Sequence, residues 1–388
     1  MKHCSKCLMP SSRPGIVFDK FGVCSACNWH KKKKKIDWKS RQKKFKEIIN
    51  WAKKYSFRGH DCVLGVSGGK DSYWQAFKLR QLGLNPLLVN YTCSDGTELG
   101  KFNLENLIKH NFSLISIQPN PNVAKKLAKK SFLKFGNVAK FSEFSLFTIP
   151  LRAAISYKIP LVFFGENPAL EAGDLNKNRA GWDAIGIKDN HTLAGASIKI
   201  WEDREIKKED LALYTFPSDK EIKKWGGRSI FMGYFFNWSG WRNAIFSRQK
   251  GMKFHQDSYK NIGNLYKHNS LDTDFTIVNS MLKHIKFGFG HTTEFVSYDI
   301  RDKRITRREG AALVKALDGR CAKKYIQRFC DWSHISYDLF HKKKEIFYGE
   351  MWNKNKGKWK LKSPAWQSYN DLDEIDINQI LKRISTDA

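Results

Sequence analysis

Ser67, Gly68, Gly69, Lys70, Asp71 and Ser72 follow an apolar run at 62–66 and precede a helical pattern, and no other stretch constrains the fold as much. The order strand, glycine loop, helix N-terminus points to an α/β architecture in which bare backbone meets an anion. Adjacent glycines let the main chain come close. The first N–H groups of the helix, with the positive end of its dipole behind them, then point at the bound charge. The G-x-x-x-x-G-K-[ST] spacing of a Walker A loop is absent, and Lys70 lies on the wrong side of Asp71 and Ser72 for that geometry. The loop suits a pyrophosphate; the bland alternative is an ordinary glycine-rich turn.

Apolar runs and helical spacing alternate around this loop. The pattern predicts strands over 62–66, 86–91, 114–117 and 161–164, with helices over 71–82 and 100–110 and a helical pair over 122–157. Strands alternating with helices imply right-handed crossovers and a doubly wound parallel sheet, whose ligands sit at the carboxyl ends of the strands. That rule gathers three loops: 67–72, 92–96 and 165–167. Asp71, at the helix start, is either a capping carboxylate or a magnesium ligand beside phosphates. Asp95 and Glu166 are further catalytic candidates, and each could equally be a loop carboxylate without a role. Gly165 and Asn167 join the 67–72 loop as candidate nucleotide contacts.

Cys4-x2-Cys7 and Cys24-x2-Cys27 form the second strong signal. Paired thiolates two residues apart on two turns can close a tetrahedral shell around one zinc ion, leaving no open position, so a structural ribbon is expected over 1–30. Four of the eight cysteines in two tight pairs suit metal binding in a reducing cytosol better than a disulfide scaffold. The start at Met1 is polar and lacks an apolar leader segment. The most apolar stretch, 144–164, is broken by Pro150, Arg152, Lys158 and Pro160. A soluble, cytoplasmic protein without membrane insertion is expected.

Residues 31–60 read as a basic helical connector, with Trp38, Phe45, Ile48, Ile49 and Ala52 at helical spacing and Arg58, Gly59 and His60 ending it. Lys31 to Lys35 reads as a solvated face. The core then covers 61–170, and 171–388 reads as a mainly helical region for the acceptor substrate or a partner. Its Trp182, Trp201, Trp225, Trp238 and Trp241 are core residues or the lining of a sugar cleft. Thr306 and Glu309 form a capping box for a helix that Asp318 and Gly319 stop. The formal net charge of +31 fits three situations: a nucleic-acid partner, an anionic small substrate, or the Lys, Asn, Ile and Phe bias of an AT-rich genome.

The S-G-G-x-D-S loop resembles the signature of the PP-loop ATP pyrophosphatases, of adenine nucleotide alpha hydrolase-like fold. Together with Cys4-x2-Cys7-Leu8-Met9-Pro10, Gly22-Val23-Cys24-x2-Cys27, Phe164-Gly165-Glu166-Asn167, Ile305-Thr306-Arg307-Arg308-Glu309-Gly310 and Leu313-Val314, it is similar to the N-acetyl sugar amidotransferases of bacterial surface-polysaccharide and flagellin-glycan biosynthesis. The resemblance implies that ATP adenylates the acetamido oxygen of an N-acetylated sugar. Ammonia then displaces AMP to leave an acetamidino group. It carries over Ser67, Gly68, Gly69, Asp71 and Ser72 as pyrophosphate and magnesium contacts, with Lys70 at the variable position. The implied cofactors are ATP, Mg2+ and Zn2+.

No cysteine outside the two pairs (Cys62, Cys93, Cys321, Cys330) sits in a glycine-flanked nucleophile elbow, and Lys2 excludes an N-terminal-nucleophile amidase. Nitrogen should therefore come as free ammonia or from a separate glutaminase, with a cyclase-like adaptor subunit also implied by the family. The alternative from the same superfamily is a tRNA thiolase. It would use the basic charge, but it often needs paired cysteines that these four residues do not form. A zinc-ribbon binding module without enzymatic activity leaves the glycine loop unexplained.

Overall fold

A computed structural model of the chain describes residues 1–56, 59–92, 95–173, 181–189, 193, 195 and 197–385. Two N-terminal helices, α1 (Ser25–Lys33) and α2 (Trp38–Lys54), lead into an alternating core. This core runs β1 (Cys62–Gly65), α3 (Lys70–Gln81), β2 (Pro86–Tyr91), α4 (Glu98–Lys109), β3 (Ser113–Ile117), α5 (Pro121–Phe135), α6 (Lys140–Tyr157) and β4 (Leu161–Phe164). The five strands of the sheet are parallel, in the order β3-β2-β1-β4-β5, with β5 at Arg228–Phe231. The strand order reverses beside β1. Chain leaving β1 goes to one side and chain leaving β4 to the other, so a crevice opens above their carboxyl ends.

β2 and β4 are buried along their whole length, as strands covered on both faces must be. Val63, Val89 and Val162 face the layer made by α5 and α6, whereas Leu64, Leu88, Phe163 and Ile230 face α2 and α3. α2 is therefore a layer of the core: Phe45, Ile48, Ile49 and Ala52 pack on the sheet, and Phe45 lies 5.9 Å from Phe163. Burying such a phenylalanine stabilises the fold by roughly 1.5–3 kcal/mol. Of the connector's expected end, Arg58 lies outside the described residues. Gly65, the last residue of β1, admits α6: a Cβ there would lie 2.8 Å from Cγ of Pro150, which sits inside that helix.

Two expectations need correction. The strand–helix alternation is expected to stop at 170 and give way to a mainly helical region, yet β5 extends the sheet beside β4, in register from Leu161 with Arg228 to Phe164 with Phe231. This strand has four residues and lies at the sheet edge. Among the described residues only short helices, the last at Asp219–Trp225, come between it and β4, and four residues are too few for an alternation signal. Lys33, within the run read as a solvated face, is buried at the end of α1, where its Nζ meets Glu171 Oε1 at 2.8 Å and the carbonyl of Trp238 at 3.0 Å.

Short helices α7 (Pro168–Glu171), α8 (Asp219–Trp225) and α9 (Met232–Phe235) flank β5, and α10 (Gly240–Gln249) packs along α3. The chain continues through α11 (Tyr259–Ile262), α12 (Phe275–Phe287), α13 (His291–Arg301), α14 (Arg307–Leu317), α15 (Lys323–Ser333) and α16 (Tyr337–Ile346). An antiparallel hairpin and a last helix, α17 (Ile377–Ile384), complete it. The capping box of Thr306 and Glu309 starts α14, as its spacing predicts, and the helix buries Ala311, Ala312, Val314 and Leu317. Among the described residues no helix is long and apolar enough to cross a membrane.

Candidate active site

The glycine loop leaves β1 and enters α3 with Gly69 as an extended N-cap and Lys70 as the first helical residue. Gly68 has φ +80°, and a Cβ there would lie 3.0 Å from the carbonyl of Gly100 on α4, so only glycine lets the loop fold down at that point. Ser72 Oγ donates to the carbonyl of Gly69 at 2.8 Å and tightens the first turn. The N–H groups of that turn have no intrahelical acceptor, and the residues that carry them line the crevice.

The crevice is a cleft of about 400 Å³, within the range of small-molecule sites. Ser67, Gly69, Lys70, Asp71 and Ser72 line one wall, and Gly165 and Glu166 after β4 line a second. The third wall comes from far along the chain, from His268 to Asp272. Asp71 Oδ1 accepts from Asn243 Nδ2 of α10 at 2.8 Å, and its Oδ2 pairs with Lys70 Nζ at 2.7 Å. Lys70 Nζ also reaches Asn269 Oδ1 at 3.3 Å, and Ser247 Oγ donates to the carbonyl of Lys70 at 2.8 Å. The C-terminal region thus holds both the side chain and the backbone of the loop.

Glu166 is open to the cleft yet ringed by protein. That confinement, and next the charge of Asp71, push its carboxyl up to about 7, with Lys70 acting the other way. Burial lifts Asp272 to about 6. Burial, with Lys70 and Arg304 nearby, holds His268 well below its ordinary value, so its imidazole is neutral. The cleft therefore contains carboxylates short of counter-charge beside an anion-directed helix end.

The remaining candidates lie away from this lining. Asn167 is buried and donates from Nδ2 to the carbonyl of Gly181 at 3.0 Å. Asp95 is buried and accepts from the Thr273 hydroxyl; burial pushes its carboxyl up to about 7, and Thr273 opposes that. Cys93 and Ser94, in the same expected loop, lie outside the described residues. The tryptophans serve the core more than the cleft: Trp201 is fully buried, Trp225 Nε1 donates to the carbonyl of Ile159 at 2.9 Å, and Arg304 covers Trp241 at 4.2 Å. Asn243, His268, Asn269 and Asp272 were invisible to sequence reasoning, because no spacing ties them to the glycine loop.

Residues 233–373 match the family described as LPS biosynthesis protein WbpG-like, C-terminal domain. This similarity supports a place in glycan biosynthesis. The matched segment contains Asn243, Ser247 and the whole of the 268–272 wall, so the WbpG-like segment and the glycine loop share one cleft. No curated protein matches the chain.

A second constellation sits at the N-terminus. Cys4, Cys7, Cys24 and Cys27 are buried with their sulfurs all within 4.8 Å of one another, an arrangement that could hold a metal ion. Cys4 Sγ lies 3.8 Å from Cys27 Sγ, and Cys7 Sγ lies 3.7 Å from Cys24 Sγ. Backbone N–H groups of Lys6, Cys7 and Cys24 point at Cys4 Sγ at 3.4, 3.5 and 3.2 Å, and that of Met9 at Cys7 Sγ at 3.5 Å. Such donors favour thiolates. Arg307 of the WbpG-like segment clamps the module, donating to the carbonyls of Cys7 at 3.1 Å and Cys4 at 3.3 Å.

Proposed function

We propose that the protein is a cytoplasmic, ATP-dependent amidotransferase of the PP-loop type that converts the N-acetyl group of a bacterial sugar into an acetamidino group. One observation carries the reading: a pyrophosphate-suited glycine loop at the sheet's switch point faces a wall from a WbpG-like LPS biosynthesis segment across one cleft. A nucleotide on one side and a glycan precursor on the other is the pairing that this reaction needs.

The acetamido oxygen attacks the α-phosphorus of ATP, the bond to pyrophosphate breaks, and the sugar becomes an imidate ester of AMP. Ammonia adds to the imidate carbon and loses a proton, and AMP departs with the former amide oxygen. An amide oxygen is a poor leaving group, and adenylation turns it into a good one. Backbone N–H groups of the 67–72 loop and the α3 N-terminus hold the pyrophosphate and stabilise the charge it gains on release. Asp71 and Glu166 would hold the magnesium ion: each raises the need for a counter-charge at the other, which a divalent cation supplies. Bound there, the ion neutralises phosphate oxygens. Lys70, paired with Asp71 in the cleft wall, would add positive charge beside the phosphates. Asp95 and Asn167 support the loops from behind.

The four cysteines take zinc in this reading. Sulfur–sulfur separations of 3.7 and 3.8 Å fit the edge of a tetrahedron with Zn–S bonds of roughly 2.3 Å. The site is closed and structural. Nitrogen arrives as ammonia, free or from a separate glutaminase with or without a cyclase-like subunit. A tRNA thiolase draws support only from the net charge: among the described residues no cysteine lines the cleft. Incubating the purified chain with ATP, magnesium, ammonium and an N-acetylated bacterial sugar tests the reading. AMP, pyrophosphate and an amidine are expected. ADP as the stoichiometric product, or turnover stimulated by tRNA and by no sugar, would refute it.

A further inference from the structure

The 268–272 wall of the cleft is held at both ends. Asn269 Oδ1 accepts from Lys70 Nζ at the glycine loop. Three residues on, the carbonyl of Asp272 accepts from the Thr97 N–H at 3.1 Å, and the Thr97 hydroxyl donates to the carbonyl of Leu271. Gly100, on the first turn of α4, is the spacer. A Cβ on Gly68 would lie 3.0 Å from the carbonyl of Gly100, and a Cβ on Gly100 would lie 2.6 Å from Cα of Asp272, so one glycine separates the anion-suited loop from the backbone of Asp272.

Two polar groups on this wall are left open. The Lys70 cation fixes the Asn269 amide so that Nδ2 is its donor end, and that Nδ2 is buried with no acceptor. Asp272 is half-buried and lines the cleft, and among the described residues its carboxylate meets no donor except its own backbone N–H. Neighbouring charges do not serve it. Lys70 is taken by Asp71 and Asn269, and Arg328 of α15 by Asp274 and the carbonyl of Asp95. Neither Glu98 nor Lys101 of α4 pairs with it, Asp71, Asp95 and Glu166 are themselves carboxyls, and His268 is neutral. Burial lifts Asp272 to about 6, which suits a base working near neutral pH.

An acetamido group fits both openings. Its N–H donates to Asp272, and its carbonyl oxygen accepts from Asn269 Nδ2 with one lone pair and keeps the other for phosphorus. We infer that Asp272 is the catalytic base that takes the N–H proton of the acetamido group as its oxygen attacks ATP, with Asn269 holding that group in place. The inference rests on the reaction proposed above. The oxygen bonds to the α-phosphorus, the bond to pyrophosphate breaks with its electron pair, and the N–H pair becomes the C=N bond as the proton passes to the Asp272 carboxylate. When ammonia adds, the C=N pair returns to that nitrogen, which recovers the proton from Asp272.

Sugar-dependent exchange of labelled pyrophosphate into ATP, run with saturating magnesium and no ammonia, isolates this step, with a panel of free and nucleotide-linked N-acetylhexosamines as the sugar. In the parent the exchange rate should rise through about pH 6 and level off. Asp272→Asn should lower the rate about a hundredfold or more and flatten the profile, and Asp272→Glu should recover part of it, while binding of ATP with magnesium is kept. Asn269→Ala should raise the KM for the sugar about tenfold and keep the pH profile. Where melts show that Asp272→Asn has lost its fold, Asp272→Ser is read in its place. No exchange by a parent that binds ATP would defeat the proposed reaction and this role with it. Exchange unchanged in Asp272→Asn, a variant that keeps the parent's pH profile, or loss of ATP binding in the folded variant would overturn the role of Asp272 and leave the reaction standing.

Discussion

Asn243 Nδ2 donates to Asp71 Oδ1 at 2.8 Å, and this contact ties the first turn of α3 to the WbpG-like segment. It fixes the rotamer of the carboxylate proposed to meet magnesium. Asn243→Ala should leave the melting temperature nearly unchanged but lower AMP formation by about tenfold to a hundredfold, the effect expected of a displaced catalytic group. Asp71→Asn should abolish turnover. Unaltered turnover in Asn243→Ala would show that Asp71 needs no such positioning.

Magnesium should compete with a proton. Glu166 has its carboxyl raised to about 7, so below that pH a cation must displace the proton, and above it the carboxylate is ready. The apparent affinity for Mg2+ should rise as the pH goes from 6 to 8 and level off beyond. Titrations of Glu166→Gln should be weaker and nearly flat with pH. A flat profile in the unaltered protein would remove Glu166 from the metal site.

Asp95 offers a stability test with a defined sign. Its folded-state value of about 7 lies above the ordinary carboxylate value, so the stability it lends is present when it is protonated at low pH. That stability is lost as the pH climbs from about 4 towards 7. Asp95→Asn keeps the shape without the charge. The variant should match the parent in melts below about pH 4 and exceed it at pH 8, by on the order of 4 kcal/mol. A variant less stable at pH 8 would mean that the ionised carboxylate is well satisfied.

These particulars indicate what the sequence can and cannot disclose. β1, β2 and β4 are short apolar runs between turn signals, and α14 announces itself by its capping box, so local chemistry alone predicts them. β5 escapes because it is a four-residue edge strand, paired along its length with β4 and otherwise bridged by Asp183 at Ile230. The glycine loop is legible for the same local reason as α14. Asn243 reaches Asp71 through the packing of α10 on α3, and His268 reaches the cleft along the path of the chain into α12, contacts that leave no spacing to read.

The cysteine module should carry one zinc ion per chain. Metal analysis and X-ray absorption should find four sulfur ligands, and Cys24→Ser should lose the metal and much of its solubility, because a structural site contributes folding free energy. Arg307→Ala, which removes the clamp on the carbonyls of Cys4 and Cys7, should lower the melting temperature while metal content stays near one. Full zinc occupancy after replacement of all four cysteines would contradict the assignment.

The central claim is that the acetamido oxygen becomes bonded to the α-phosphorus of ATP in the cleft. The direct measurement is a reaction run with an N-acetylated sugar carrying ¹⁸O in its acetyl carbonyl, with products separated and weighed by mass spectrometry. The account predicts the label in AMP, with none in pyrophosphate. Label in inorganic phosphate beside ADP, or label retained on the sugar while ATP is consumed, would contradict it.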